Sequence, residues 1–508
     1  MISTLVVLLC LLAGIAGSLR WFRVMQREHY LAGAGSRFAV RWWGSSSINV
    51  VLLIIGVAGI ILAGFWPLAG LATAGVALIA PIGLSLRGRT SQLAWTRRLR
   101  TLAASAACIA VVVVAIGAAL GLSAPAAALT ALAVPLLLDL AAMLVSPIEA
   151  RAAGHFVEQA TYRLARVAPR VVGITGSYGK TSTKNHLSVL LGSDLSVVPT
   201  PRSFNNRAGL ARAINENLAD GTDVFIAEMG TYGPGEIAEM CSWCPPAIAV
   251  ITAVGPVHLE RFGDLEVTLA AKAEITRQAE RVVLNVDDER LARLAEMLAT
   301  QGKKVIKVGS EAADADIQLR CDPESWAIVV EGVVLAETPA IVGVQPTNVA
   351  CALGAAMALG LDPTLVAQRV ALLKQVESRL GVTRAPSGVT VIDDTFNSNP
   401  AGAAAALDVL AGLEIDGRRV VVTPGMIELG RVQSTENEAF ARRLGEVADT
   451  LVIVRRSNRA SLRRGAASTP DLEVIEVADR RDAVAWVRSM LGPDDAVLYE
   501  NDLPDNYP

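Results

Sequence analysis

The chain has 508 residues, more than one ordinary domain holds, so two or three domains are expected. Hydrophobic residues make up 52% and the mean hydropathy is +0.43, which excludes a disordered chain and argues against a purely soluble one. Net charge is only −3, but residues 1–150 hold ten Arg, no Lys and three acids (Glu28, Asp139, Glu149), a balance of +7 that leaves −10 for the rest. A basic apolar front on an acidic back does not suggest a nucleic-acid partner. The six cysteines are scattered, so they form no disulfide framework, and a reducing compartment is the simpler reading for the polar part.

Apolar runs cover 2–19, 48–65, 68–86, 101–122 and 126–146, each near the roughly 20 residues that span a bilayer as a helix. Five spans are expected. Arg20, Arg23, Arg27, Arg37 and Arg41 lie between the first two runs, and Arg87, Arg89, Arg97, Arg98 and Arg100 between the third and fourth. The connections 65–67 and 122–125 carry no charge. The positive-inside bias therefore puts the N-terminus outside and everything after 146 in the cytoplasm, as a multi-pass protein of the inner membrane. Trp21, Trp42 and Trp43 suit an interfacial belt. A cleaved signal peptide is the alternative for 2–19, but no positive charge precedes the apolar run. Asp139 lies inside the fifth run; a carboxylate at that depth is a functional candidate, or else it bonds a neighbouring helix.

From about Val171 the texture changes to short β-rich runs alternating with helical stretches. Strands are expected near 170–174, 223–228, 247–252, 281–285, 389–394, 419–423, 450–454, 472–477 and 496–500. Near-continuous apolar strands separated by helices imply a mostly parallel sheet covered on both faces. A domain boundary is expected between 376 and 388, giving domains at 1–147, 148–377 and 378–508.

The strongest local motif is Thr175-Gly176-Ser177-Tyr178-Gly179-Lys180-Thr181, followed by Ser182. It follows a strand and opens a helix. Glycines let backbone N–H groups close on phosphate, and the helix N-terminus adds positive potential. Lys180 suits β/γ-phosphate oxygens and Thr181 a Mg2+ ion. The spacing departs from the common GxxxxGK[ST], since Ile174 stands five before Gly179.

The loop resembles that of the Mur ligase family, ATP-dependent amide-forming enzymes of peptidoglycan synthesis. Further motifs follow in that family's order: Ser203-Phe204-Asn205-Asn206, Ala227-Glu228-Met229-Gly230, Val257-His258-Leu259-Glu260, Ala271-Lys272-Ala273-Glu274 and Leu284-Asn285-Val286-Asp287. Beyond them come Ser378-Arg379-Leu380, Asp394-Thr395-Phe396-Asn397-Ser398-Asn399-Pro400 and Met426-Ile427-Glu428-Leu429-Gly430. The last two look most like the branch that adds D-alanyl-D-alanine to a muramoyl tripeptide. The resemblance covers about 150–460. It implies a P-loop-type central ATPase domain and then a Rossmann-like C-terminal α/β domain, behind the α-helical membrane bundle.

The resemblance also implies roles. ATP and Mg2+ are the cofactors, and an acceptor carboxylate is activated as an acyl phosphate for attack by an amino acid or dipeptide amine. Lys180, His258 and Lys272 would be catalytic, with Glu228, His258, Thr181 and a carbamylated Lys272 at the metals. Asn285 would face the base, Arg379 phosphate and Asp394 ribose, while Asn205, Asn206, Asn397 and Asn399 are substrate-binding candidates. Two departures stand out. Cys351 replaces an Asn that typically contacts adenine. Five membrane helices stand where relatives carry a UDP-sugar-gripping domain, so the muropeptide or other envelope-precursor acceptor is expected to be lipid-linked or otherwise at the bilayer. A poly-γ-glutamate-type ligase and a non-catalytic ATP-binding membrane regulator or transporter component are the alternatives. The lone pair Cys241-Ser242-Trp243-Cys244 lacks the second pair that structural zinc needs.

Overall fold

The computed structural model describes residues 2–86, 93–192, 194–201, 204–322, 324–341, 343–374, 381–395, 399–503 and 507, without the side chains of 149, 150, 152 and 153. The chain divides into two compact units: 1–152 with 455–457 and 503–508, and 153–454 with 458–502. The expected boundary at 377/378 falls outside the described residues.

The first unit is helical: α1 (Ile2–Arg27), α2 (Ala34–Trp43), α3 (Ser47–Ala63), α4 (Gly70–Ile79), α5 (Arg97–Ala119), α6 (Ser123–Leu132) and the start of α7 (Val134–Val167). Among the described residues, α1 and α5 are long and apolar enough to cross a membrane. The number rises to four if each of two bent pairs counts as one span: α2 with α3, bent by 115°, and α6 with 134–148, bent by 79°. Where the sequence led to an expectation of five spans, the described residues thus hold two, or four with the bent pairs. The run 126–146 breaks at Ala133 because Pro135 starts a new helix and disfavours helical geometry just before it. The run 68–86 stops being helical at Ile79, two residues before Pro81, and the helix turned by Pro67 adds only one short turn in front.

Small residues let these helices approach. Ala124, Ala127, Ala128 and Ala131 of α6 pack with Cys10 and Ala13 of α1 and with Ala63, Ala74 and Ala77. A Cβ at Gly17 would lie 2.5 Å from the Ala77 carbonyl oxygen. Polar side chains are spent on helix ends. The Arg20 guanidinium, 4% exposed, donates to the carbonyls of Leu78 (2.6 Å) and Ala80 (2.5 Å), at the C-terminal end of α4 where the helix dipole is negative. Asp139 accepts from Gly35 N (2.9 Å), Ser36 N (2.7 Å) and Ser36 Oγ (2.5 Å), so it caps the first turn of α2. Of the two readings of Asp139, the bond to a neighbouring helix is the one seen.

The second unit holds two sheets. The first contains β1 (Arg170–Thr175), β2 (Val197–Pro199), β3 (Val224–Glu228), β4 (Ile248–Ile251), β5 (Arg281–Asn285), β6 (Lys304–Gly309), β7 (Ile317–Cys321), β8 (Ser325–Val330) and β9 (Val333–Pro339), in the order β2-β3-β1-β4-β5-β6-β7-β8-β9. Pairing is parallel from β2 to β7 and antiparallel for β7-β8-β9. One face is covered by α8 (Lys180–Leu191) and the Ala-rich helix Pro346–Ala358. The other is covered by helices that include Arg207–Asn217 and Glu289–Thr300, together with Ala160 and Leu164 of α7. Both faces are therefore dry, which is why these strands read as continuous apolar runs.

The second sheet contains β10 (Gly381–Arg384), β11 (Thr390–Asp394), β12 (Arg419–Thr423), β13 (Thr450–Val454), β14 (Glu473–Val477) and β15 (Ala496–Glu500), in the order β10-β11-β15-β12-β13-β14. Only β10 runs antiparallel to its neighbour. The nine strands expected from the sequence all form, and β2, β6 to β9 and β10 are additional.

Candidate active site

The phosphate loop joins β1 to α8 at the C-terminal edge of the first sheet, where open α/β folds bind ligands. Gly179 is the N-cap of α8 at φ +83°, and a Cβ there would meet Asn348 Oδ1 at 2.1 Å. Gly176, at φ +155°, would place a Cβ 2.0 Å from Thr252 Oγ1. Both positions require glycine, for backbone angle and for room. Ser177 is tied down by exchange with Gly255: its Oγ donates to Gly255 O at 3.0 Å and accepts from Gly255 N at 2.9 Å. Tyr178 packs where a Gly255 Cβ would fall 2.5 Å from its ring, and burial pushes its phenol up. Thr175 Oγ1 is buried and has no partner among the described residues. Lys180 Nζ curls back to Gly176 O (2.6 Å) and Ser177 O (3.3 Å), and Ser182 is buried one turn into the helix.

Behind the loop, Glu228 ends β3 at 1% exposure. Its Oε2 accepts from the Thr181 hydroxyl (3.0 Å) and the Lys184 ammonium (2.9 Å), and its Oε1 from the Asn205 amide (3.1 Å). The structure thus brings together three residues singled out in the sequence, Thr181, Glu228 and Asn205. It adds Lys184, which no motif marked because a lysine one turn past the loop reads as a solvated helix residue. Lys272, 4% exposed, has its amine held well below the usual lysine range by burial and then by the nearby Lys180 charge.

His258 meets the second sheet. Its Nδ1 shares a short hydrogen bond with Glu428 Oε2 of the second sheet's β12–β13 connection, and its ring meets Tyr232 edge-on at 4.9 Å. Both His258 (φ +58°) and Glu428 (φ +63°) are left-handed, a strained state that non-glycine residues keep where the surroundings dictate it. Glu428 belonged to a recognised motif, yet nothing in its spacing announced the partner.

The remaining candidates do structural work in this form. Asn206 caps the helix Arg207–Asn217 and Asn399 caps Pro400–Ala411. Asn285 donates to Thr252 O at 3.0 Å and so locks the ends of β4 and β5 together. Asp394, at the end of β11, is buried and its carbonyl accepts from Asn501 N. Cys351 is 1% exposed within the first sheet's core, where burial raises its thiol. Cys241 and Cys244 are buried free thiols that burial pushes up, Cys241 to about 12. Arg379 and Asn397 lie outside the described residues.

A phosphate loop on a parallel sheet, with a hydroxyl–carboxylate pair behind it, defines a nucleotide-dependent enzyme of the P-loop class. Residues 174–356 match the Mur ligase middle domain and 378–499 match the Mur ligase glutamate ligase domain. The UDP-N-acetylmuramoyl-tripeptide–D-alanyl-D-alanine ligase of Mycobacterium leprae is 32% identical over 366 residues, covering 65% of this chain and 70% of the relative. The Bacillus subtilis enzyme of the same name is 30% identical over 278 residues, 54% of this chain and 59% of that one. The MurF ligase of Thermotoga maritima, solved in complex with ADP, superposes with a TM-score of 0.59 at 26% identity over 69% of this chain and 80% of that one. The chain belongs to the Mur ligase family.

Proposed function

We propose that this protein is an ATP-dependent, ADP-forming ligase that joins D-alanyl-D-alanine to a muropeptide precursor, held at a membrane by its N-terminal helices with the ligase domains in the cytoplasm. The observation that carries the reading is the hydrogen bond from the half-buried Thr181 hydroxyl to the buried Glu228 carboxylate directly behind the Gly176–Lys180 loop. ATP and Mg2+ fit the residues present. Gly176 and Gly179 let the loop close tightly against Thr252 and Asn348, and Thr175 Oγ1 beside them is an orphaned buried hydroxyl. The Glu228 carboxylate and the Thr181 hydroxyl suit Mg2+, which keeps its waters and takes one or two protein groups plus phosphate oxygens.

When bound, ATP supplies the phosphoryl group that activates the acceptor carboxylate, and Mg2+ screens the crowded negative charge. The chain's own residues do the rest. Lys180 leaves the loop carbonyls of Gly176 and Ser177 for phosphate oxygens, while backbone N–H groups at the start of α8 bind the same anion. Thr181 and Glu228 would hold the metal. Lys272, with its neutral form favoured, would add carbon dioxide at Nζ with release of one proton to solvent, and the resulting carbamate would hold a second metal. His258, oriented by Glu428, lies on the side of the second sheet. As the resemblance implies, Asn285, Arg379 and Asp394 would hold the nucleotide, and Asn205, Asn206, Asn397 and Asn399 would contact the substrates.

The apolar helices of the first unit, with arginines toward their ends, favour a lipid-linked acceptor. The test is ADP release by the protein in nanodiscs with Mg2+ and ATP. D-Ala-D-Ala and Glu are crossed with UDP-linked and lipid-linked muropeptides, with Lys180→Ala as control. Release that requires D-Ala-D-Ala and a muropeptide is expected, faster with the lipid-linked form. Release with Glu alone refutes the assignment, and equal turnover on the UDP-linked form refutes the lipid-linked acceptor.

A further inference from the structure

The base of the phosphate loop holds an ion pair that the reaction as described does not use. Lys180 and Lys184 sit four residues apart on α8, hence on one face of it. Their ammonium groups go to different places. Lys180 reaches loop carbonyls, and Lys184 reaches Glu228 Oε2 at 2.9 Å with side chains 2% and 1% exposed. A carboxylate offers about four acceptor positions, two on each oxygen. Thr181 and Lys184 take both on Oε2, and Asn205 takes one on Oε1. Among the described residues, one Oε1 position has no partner and can take a cation.

We propose that Lys184 is a positioning residue that stands in for the divalent cation at Glu228, supplying the counter-charge until the cation arrives and setting how tightly it is then held. The inference rests on Glu228 being the metal carboxylate. Two physical consequences separate this role from plain packing. A buried carboxylate left without a partner is strongly destabilising, so an internal ammonium keeps the metal-free site folded. The same positive charge, 2.9 Å from Oε2, opposes a second positive charge on that carboxylate. Lys184 therefore trades divalent affinity for stability of the empty site. In the terms of linkage, removing it makes the metal the sole counter-charge, so metal binding then returns more stability than it does in the wild type.

The experiment uses the full chain in nanodiscs without nucleotide, Mn2+ alone as the probe, free Mn2+ read by electron paramagnetic resonance, and thermal unfolding with and without Mn2+. Lys184→Met is expected to unfold at a lower temperature without metal and to gain more from Mn2+ than the wild type. It is also expected to bind Mn2+ roughly tenfold more tightly, the order set by one charge removed from a buried site. Lys184→Gln, which keeps a donor to Oε2 but not the charge, tests the same affinity change if the methionine variant does not fold. Glu228→Gln is expected to lose the site, alone or combined with Lys184→Met. Unchanged or weaker Mn2+ binding in both Lys184 variants, with an unchanged gain from Mn2+, overturns the proposal and leaves Lys184 as packing. Wild-type Mn2+ binding by Glu228→Gln, or no binding by any form, removes the metal reading of Glu228 itself.

Discussion

Replacing Glu500 by Gln should remove a pH dependence of stability that the second sheet builds in. Glu500 ends β15 with no exposure. Thr423 Oγ1 donates to its Oε2 at 2.6 Å, while Oε1 has no partner among the described residues. Burial pushes the carboxyl up to about 8; the Thr423 bond works against that, and the charge of Asp394, its register partner on β11, adds to it. The folded form thus binds a proton that the unfolded form, near 4.5, releases. For an acid raised in the folded state, the stabilisation is complete below the unfolded value and is lost as pH rises toward the folded one. At about 1.4 kcal/mol per pH unit, flattening as pH nears the folded value, the wild type loses roughly 2 kcal/mol between pH 6 and pH 8. Spread over a unit of this size, that is about 3 °C in unfolding temperature. Glutamine keeps the acceptor for Thr423 and carries no charge, so Glu500→Gln should show no such fall. The assay is hydrogen exchange of the β12 and β15 amides at the two pH values, compared between the proteins. Parallel slopes for wild type and variant, or a wild type that gains stability toward pH 8, refute the reasoning.

Three further outcomes are expected. Gly179→Ala should weaken ATP binding by about tenfold or more in equilibrium titrations, because its Cβ would meet Asn348 Oδ1 at 2.1 Å and its backbone is left-handed. Asp139→Ala should cost about 2 kcal/mol through the lost cap and two orphaned N–H groups, seen as faster proteolysis near Gly35 with ATP binding unaltered. Lys272, whose amine is held low by burial, should tie activity to carbon dioxide: stripping it should lower turnover, bicarbonate should restore it, and Lys272→Arg should respond to neither.

Much of this was legible because the chemistry is local. The phosphate loop is contiguous, so glycines, lysine and threonine declare themselves within seven residues. The parallel strands declare themselves because both faces are buried and every position is apolar. What stayed hidden depends on distant pairing. Lys184 gains meaning only when β3 delivers Glu228 beneath α8, and Glu428 only when the second sheet meets His258. The hairpins β7-β8-β9 escaped notice because their exposed and buried positions mix, as in β9, where Val333 and Val334 are exposed. In the helical unit, hydropathy located the apolar runs but missed the break between α6 and α7, since a mean over twenty residues is blind to one proline. Arg20 was counted as an orientation signal, yet its guanidinium is committed to the end of α4.

The place of β15 has a consequence for how the protein is made. This strand, last of the six in sequence, lies between β11 and β12, pairing with both. During translation β10 to β14 emerge first, but the middle of their sheet is missing until residues 496–500 appear. Until then β11 and β12 present two open edges lined by apolar side chains, the surfaces on which nascent chains mispair. A ribosome that stalls short of residue 496 would release a domain split at its centre, a ready substrate for quality-control proteases, however complete the phosphate-binding half already is.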